Sequence, residues 1–168
     1  MKEMKNLLTF DALFESYLTG ITDVTDHEIL GTTLVLEAGA EGDAGMTAVL
    51  NVIKNRSEAK GTAKAGEALR PSQFSMWNTA TKNISDKKDF GNTEVITEIK
   101  RIVAEGKKHP QYTNAVEIIK SDPADTTKGS NSYYAFKGSN KISAPSFTTN
   151  WTWKTDIGNH KFGHVKNI

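Results

Sequence analysis

The sequence predicts an α+β fold that is mainly helical and carries a small β-hairpin region near its C-terminus. Over much of the first 120 residues, apolar side chains recur at three- and four-residue intervals, the spacing of amphipathic helices. The last third is instead rich in turn-forming residues and contains short aromatic runs. A chain of 168 residues can bury one core, so we expect a single catalytic or binding domain over 26–168, preceded by an N-terminal extension, 1–25.

The helices can be placed from their apolar spacing and their capping residues. In the extension, an amphipathic helix is predicted for 7–18. Thr25 followed by Glu28 is a capping-box signature, which predicts a helix from about Asp26 to Ala38. Further helices are predicted after Gly45 as far as Asn55-Arg56, and from about Gln111 to Lys120. Another is predicted to open at Asn92 or Thr93, with Val95, Ile99 and Ile102 or Val103 facing inward.

The segments between and after these helices are less regular. Residues 57–75 are rich in Gly, Ala, Lys and Ser, which predicts a loop, with a short ordered segment at 71–77. The aromatic run Tyr133–Phe136 is typical of a short strand. Residues 151–165 predict a hairpin with its turn near Asp156–Asn159.

Composition excludes several functional classes. The formal charge is +1 and no long basic run is present, so we expect no nucleic-acid partner. There is no cysteine, which removes disulfides, thiol catalysis and cysteine metal sites. No apolar run approaches the ~18 residues of a membrane span, and Asp11 and Glu15 interrupt the apolar N-terminus. We therefore expect no membrane insertion, no secretory signal and no cofactor.

One carboxylate lies where the helical pattern calls for an apolar side chain. Leu30, Leu34, Glu37 and Glu41 step by four, three and four residues, so they are predicted to share a helix face. Burial on such a face raises the pKa of a carboxyl group, and a carboxylic acid protonated near neutral pH is what a glycosidase needs as general acid. Alternatively, Glu37 pairs with an Arg or Lys, or caps a turn. The small residues of AGAEGDAG are expected to let a polymer approach the backbone.

Four segments together resemble a known family. EAGAEGDAGMTAVLNVIKNR, at 37–56, resembles the core of the SleB-type cell-wall hydrolases, the family of the spore cortex-lytic transglycosylase. The family pattern is E-[SA]-x-G-E, three residues, a glycine, an apolar helix and then NR. PSQFS at 71–75, NSYYAF at 131–136 and IGNHKFG at 157–163 are similar to three further family motifs, in the same order. Gly39-Ala40 and the segment 78–131 depart from the family pattern.

The resemblance implies a fold and a reaction. The fold would be lysozyme-like, in the superfamily of lytic transglycosylases and goose-type lysozymes. Glu37 would be the catalytic acid/base that cleaves peptidoglycan between N-acetylmuramic acid and N-acetylglucosamine, most simply as a lytic transglycosylase that forms a 1,6-anhydro sugar. A lysozyme-type muramidase would need a second carboxylate, for which Glu41 and Asp43 are the candidates.

Residues in the other motifs are candidates for substrate binding. Gln73 and Ser75 could donate hydrogen bonds to an N-acetyl group or a sugar hydroxyl, with Phe74 packing beneath them, or Phe74 could simply fill the core. Tyr133 or Tyr134 could hydrogen-bond near Glu37, as a tyrosine does in related transglycosylases. Adjacent strand residues point to opposite faces, so only one of the two can do so.

His160 is the last candidate, either as a structural hydrogen-bond partner or at the edge of the cleft. His160 and His164 have the spacing of a helical metal pair, but this stretch predicts a strand and offers no clear third ligand, so no metal is expected.

The resemblance and the absence of an export signal or wall-binding repeats together indicate a phage lysin. We expect a monomer, made in the host cytoplasm, that reaches the periplasmic or cell-wall peptidoglycan through a holin or from the virion. The extension would pack on the domain, dock the protein to the virion, or be cut after Leu13-Phe14-Glu15 like a head-targeting peptide. The alternative from another class is a non-catalytic virion protein that binds sugar with the same fold.

Overall fold

The computed structural model describes residues 24–81, 92–135 and 150–166, and within these ranges the fold is α+β and mainly helical, which confirms the predicted class. The helices are α1 (Asp26–Ala38), α2 (Gly42–Lys60), α3 (Lys64–Leu69), α4 (Asn78–Thr81), α5 (Thr93–Lys107) and α6 (Tyr112–Ser121). Short 3-10 turns at Gly39–Glu41 and Ser75–Trp77 precede α2 and α4. The strands are β1 (Ser132–Ala135), β2 (Trp151–Ile157) and β3 (His160–Val165). The helix predicted for 7–18 lies outside the described residues.

Helix α1 is the central helix of the described fold. The predicted capping box is confirmed, because the Thr25 hydroxyl accepts from the Glu28 backbone N–H and the Glu28 carboxylate accepts from the Thr25 N–H. Helices α2, α3, α5 and α6 all pack against α1. Its middle is therefore buried on nearly every side, from Ile29 to Val35. The apolar face predicted from Leu30 and Leu34 is buried, and the other sides of the helix between Ile29 and Val35 are buried as well.

Small side chains let the neighbouring helices approach α1 closely. A Cβ atom on Gly106 of α5 would lie 2.6 Å from the Thr32 hydroxyl, and one on Gly31 would lie 3.1 Å from the Tyr112 ring. On another side, the buried indole of Trp77 donates a hydrogen bond of 3.1 Å to the Thr33 hydroxyl. The polar threonines of α1 thus serve tight packing and satisfy a buried donor.

Helices α2 and α3 differ from the prediction. Helix α2 begins at Gly42 instead of Gly45 and continues past Asn55-Arg56 to Lys60, where Gly61 ends it in the left-handed conformation. Helix α3 occupies part of the segment predicted to be a loop. Its six residues include Ala65, Ala68 and Leu69, which are fully buried. So short a helix depends on tertiary packing, which local sequence does not reveal.

Helices α5 and α6 follow the prediction. Asn92 caps α5 by accepting a hydrogen bond of 2.8 Å from the Glu94 backbone N–H, and Ile99, Ile102 and Val103 face the core. Helix α6 lies within one residue of its predicted bounds at each end. None of the described helices is long and apolar enough to cross a membrane.

The three strands form one antiparallel sheet in the order β1-β3-β2. The predicted hairpin is confirmed as β2 and β3, which turn at Gly158-Asn159. Strand β1, in the aromatic run, pairs with β3 so that Tyr133 lies opposite Phe162. Phe162 is fully buried against Ala48 and Val52 of α2. This contact holds one face of the sheet against the helices.

Candidate active site

Glu37 lies in the last turn of α1, half-buried, and its carboxyl group has two hydrogen-bond donors. The Tyr133 hydroxyl donates to Glu37 Oε2 at 2.8 Å, and the backbone of Ser75 also hydrogen-bonds to the carboxyl group. Burial raises the pKa of Glu37, while these hydrogen bonds and the charges of His160 and Arg56 act in the opposite direction. Burial prevails, so Glu37 holds its proton to higher pH than a solvated glutamate does.

Tyr133 is held in place by two other rings. Its ring stacks on Phe162, with centroids 5.3 Å apart, and meets the His160 ring nearly at right angles, with centroids 5.1 Å apart. Burial, followed by the charge of Glu37, raises the pKa of Tyr133 well above its usual range. Tyr133 therefore stays a neutral phenol and remains a hydrogen-bond donor toward Glu37.

Tyr133 is the tyrosine that donates to Glu37, and Tyr134 lies on the opposite face of the sheet. The Tyr134 ring packs at a tilt on Trp151, with centroids 5.5 Å apart. The Trp151 indole in turn donates a hydrogen bond of 2.9 Å to the Ser132 hydroxyl. Strand alternation thus assigns the two adjacent tyrosines to different surroundings.

Glu41 reaches the site by a route that the helix projection did not predict. Helix α1 ends at Ala38, and a 3-10 turn over Gly39–Glu41 leads into α2, so Glu41 is not one turn further along α1. Its Oε1 lies 2.7 Å from Nδ1 of His160 on β3, and both side chains are nearly nine-tenths buried. The predicted common face for Glu37 and Glu41 was therefore wrong.

Two glycines fit closely around the Glu41 side chain. A Cβ atom on Gly158, in the β2–β3 turn, would lie 2.4 Å from Glu41 Oε2, and one on Gly45 of α2 would lie 2.6 Å from Glu41 Cβ. Gly39 is required for a different contact, because a Cβ atom there would lie 2.5 Å from the His109 ring. These glycines serve packing within the protein, which accounts for them without the expected approach of a polymer.

Arg56 is a site residue that sequence reasoning placed only as a helix end. It is 7% exposed, its guanidinium lies 5.8 Å from the centre of the Phe74 ring, and its Nε donates to the backbone carbonyl of Asn131. Its charge acts on both Glu37 and Tyr133. Only the family-like motif, which ends in Asn55-Arg56, could have pointed to Arg56 as a site residue. Without that motif, an Asn-Arg pair in a helix indicates no function.

Asn55 and Arg56 together fix the loop that leads into β1. Asn55 Nδ2 donates to the Ser130 carbonyl at 2.9 Å, next to the Arg56 contact with Asn131. The Asn131 side chain then bridges to β3, donating to the Val165 carbonyl at 2.9 Å and accepting from the Val165 N–H at 2.8 Å. Tyr133 follows two residues later, so this motif sets the position of the Glu37 partner.

The other predicted binding residues have varied placements. Phe74 is 1% exposed and packs in the core beneath Arg56, so it offers no ring face to a glycan. Ser75 is exposed beside Glu37, and Gln73 is half-buried in the preceding turn. Asp43 is exposed and accepts a hydrogen bond from Asn114.

His160 and His164 have different surroundings on β3. His160 is buried beside Glu41, whereas His164 is exposed, with its Nδ1 3.4 Å from the Gly129 carbonyl. Among the described residues, no group of three or more His, Cys, Asp or Glu is placed to hold a metal ion.

Comparisons with protein-family models, with curated proteins and with solved structures give no match. The chemistry of the site must therefore be inferred from its geometry. That geometry gathers Glu37, Glu41, Tyr133 and His160 from α1, the following turn, β1 and β3. A half-buried acid beside a fixed hydrogen-bond donor can give a proton and later recover it, which is general acid/base chemistry.

Proposed function

We propose that this protein is a peptidoglycan glycosidase in which Glu37 is the general acid and base. The observation that carries the proposal is the state of Glu37, which is half-buried, with a raised pKa and with Tyr133 fixed on one carboxyl oxygen at 2.8 Å. The motifs at 37–56, 71–75, 131–136 and 157–163 supply the substrate class, because they resemble a peptidoglycan-cleaving family. The bond cleaved would join N-acetylmuramic acid to N-acetylglucosamine.

In the first step, protonated Glu37 gives its proton to the glycosidic oxygen as the bond from that oxygen to the muramyl C1 breaks. The Tyr133 hydroxyl donates a hydrogen bond to Oε2 of the same carboxyl group. Negative charge then develops on the carboxylate. The Tyr133 hydrogen bond strengthens as it does, since hydrogen bonds to charged acceptors are the stronger ones. Tyr133 thus stabilises the transition state more than the ground state.

In the second step, the Glu37 carboxylate takes the proton of the muramyl C6 hydroxyl while that oxygen attacks C1. The product is a 1,6-anhydro sugar, and Glu37 returns to its protonated form. One carboxyl group serves both steps and no water is consumed. This is the lytic transglycosylase reaction.

A hydrolytic muramidase needs a second carboxylate, roughly 5–5.5 Å away for retention or 6.5–9.5 Å for inversion. Both candidates already have partners, since Glu41 is paired with His160 and Asp43 accepts a hydrogen bond from Asn114. Glu41 is enclosed by His160, Gly158 and Gly45 and has little room to reach a substrate, and this supports the transglycosylase over the hydrolase.

The proposal extends to fold and delivery. A glutamate at the end of a central buried helix, beside a small antiparallel sheet, is compatible with the lysozyme-like architecture that the motifs imply. We place the protein among phage lysins, monomeric and acting on periplasmic or cell-wall peptidoglycan after holin release or virion delivery. Sequencing the N-terminus of the mature protein, isolated from infected cells or virions, tests whether the extension is removed.

The test is Glu37→Gln assayed on purified cell walls. We expect the release of soluble fragments to fall by at least ~100-fold, since general acid/base catalysis contributes 10²–10⁴-fold, with binding to walls unchanged. Glu117→Gln is the matched control, because Glu117 is an exposed glutamate on α6 paired with Lys120.

Product analysis then separates the reactions. Anhydro-muramyl ends support the transglycosylase, and reducing ends support the hydrolase. Wall binding without any fragment release by the unaltered protein would favour the non-catalytic alternative. Full activity of Glu37→Gln would rule out Glu37 as the general acid and base.

A further inference from the structure

We propose that Glu41 and His160 form a positioning pair that fixes Tyr133 against Glu37, and that Glu41 is not a second catalytic acid. This inference rests on the proposed function, since it assigns roles around the same acid. The two residues come from distant parts of the chain, the 3-10 turn after α1 and the first position of β3. They meet where the sheet packs against the helices, next to the candidate site.

The Glu41 carboxylate has little freedom to move. Oε1 lies 2.7 Å from His160 Nδ1, a close polar contact that does not have hydrogen-bond geometry, and the two side chains are 12% and 11% exposed. Oε2 is buried without a hydrogen-bond partner in the described structure and lies against Gly158, while Gly45 is close behind Cβ. A nucleophile or base must reach substrate atoms, and a carboxylate enclosed by two glycines and an imidazole does not.

The pair is linked to the proposed catalytic acid through Tyr133. The His160 ring meets the Tyr133 ring nearly at right angles at 5.1 Å, while Phe162 stacks on Tyr133 at 5.3 Å. Tyr133 has its hydroxyl 2.8 Å from Glu37. If Glu41 is neutralised or displaced, His160 loses its anchor, and the ring that sets the direction of the Tyr133 hydroxyl is free to rotate. A change of this kind alters the rate of the chemical step more than the binding of a long glycan.

The test uses Glu41→Gln, His160→Asn, and the two combined, with Glu117→Gln as the matched control. We expect each single variant to lower kcat about tenfold while KM stays within about twofold, as lost alignment of a transition-state contact predicts. The double variant should be no slower than the slower single variant, because residues that act as a unit are non-additive. The products should keep the same chemical ends as those of the unaltered protein.

The pH dependence of kcat is a second measurement, which would stay unchanged if His160 had a purely structural role. The charged or titratable groups that act on Glu37 are Tyr133 on β1, His160 on β3 and Arg56 on α2. His160→Asn removes an interaction that lowers the pKa of Glu37, so the limb of the kcat profile that reports Glu37 should move to higher pH. Glu117→Gln should leave the profile in place.

A second variant covers the case in which Glu41→Gln does not fold. Gly45→Ala removes no titratable group and introduces no positive φ, but its Cβ would lie 2.6 Å from Glu41 Cβ, so the turn that carries Glu41 must shift. We expect the same loss of kcat, with thermal unfolding still cooperative.

Several results would overturn the proposed positioning role of Glu41 and His160. Unaltered kcat and pH profile in the single variants would do so, as would strictly additive losses in the double variant. A change of product ends in Glu41→Gln would make Glu41 a catalytic acid instead. These failures are distinct from failure of the proposed function, which shows as full activity of Glu37→Gln.

Discussion

Replacing Tyr133 with phenylalanine isolates the contact on which the proposed chemistry depends. The substitution removes the hydroxyl that donates to Glu37 Oε2 at 2.8 Å and leaves the ring stacked on Phe162. A hydrogen bond to a charged group contributes ~1.5–3 kcal/mol. If that stabilisation is realised mainly when Glu37 ionises in the transition state, kcat should fall roughly 10- to 150-fold. The pKa of Glu37 should also rise further, because the Tyr133 hydrogen bond holds it down against burial.

The assay measures fragment release from purified walls at saturating substrate over the acid and neutral pH range. Tyr134→Phe is the matched control, since it removes the same atom from the adjacent residue on the opposite face of the sheet. We expect Tyr134→Phe to match the unaltered protein. Tyr133→Phe should be slower throughout, with the limb that reports Glu37 displaced to higher pH.

Two results would refute this reasoning. Equal rates for the two phenylalanine variants would mean that the Tyr133 hydroxyl does nothing for Glu37 in the reaction. A lower rate without displacement of the pH profile would mean that the hydroxyl acts on something other than the ionisation of Glu37.

Three further predictions concern stability. Because burial raises the folded-state pKa of Glu37 above its ordinary 4.5, the Glu37 contribution to the unfolding free energy is fully present below pH 4.5 and is lost as pH rises through the folded pKa. Glu37→Gln should therefore raise Tm at neutral pH and remove that contribution in thermal scans, and an unchanged Tm would contradict it. Glu67 is fully buried between Lys60 and Arg70, each 3.1 Å away. Glu67→Gln should therefore lower the unfolding free energy by about 3 kcal/mol and Tm by ~6–12 °C. A denaturant titration that finds no loss would contradict a stabilising role for these two ion pairs. Burial raises the pKa of Asp125, but four hydrogen bonds to its carboxylate lower that pKa by more, so the carboxylate stabilises the fold above pH 3.8 and this contribution is lost as pH falls through the folded pKa. Asp125→Asn should therefore lower the unfolding free energy by ~1–2 kcal/mol at neutral pH. A loss that persists equally in acid would refute the charge argument.

The parts of the fold that depend on residues close together in sequence were predictable from the sequence. The capping box at Thr25 and Glu28 joins residues three apart, and the Gly158-Asn159 turn joins adjacent strands. Helix α3 was missed although five of its six residues favour helix, because Gly66 and its Gly- and Ser-containing surroundings indicated a loop. The burial of Ala65 and Ala68 by other helices is what makes it a helix.

The candidate site shows the same limit. Glu37 could be singled out because a carboxylate interrupts an apolar pattern, even though the pattern belongs to a helix buried all round. Tyr133 is 96 residues away, and only the order of family-like motifs suggested that it meets Glu37. Arg56 gave no separate signal, since a basic residue near a helix end is common and its contact with the Asn131 carbonyl is a tertiary feature.

The break between α1 and α2 is what gives the two glutamates different tasks. On an uninterrupted helix, carboxylates four residues apart would be surface neighbours, and each would disfavour ionisation of the other. Here α1 ends at Ala38, and Gly42 takes a positive φ of 67° that lets the chain start a new helix in another direction. Glu41 is thereby aimed at His160 while Glu37 stays with Tyr133. The glycines around this turn matter to the proposed chemistry because they keep one acid paired and leave the other able to exchange its proton.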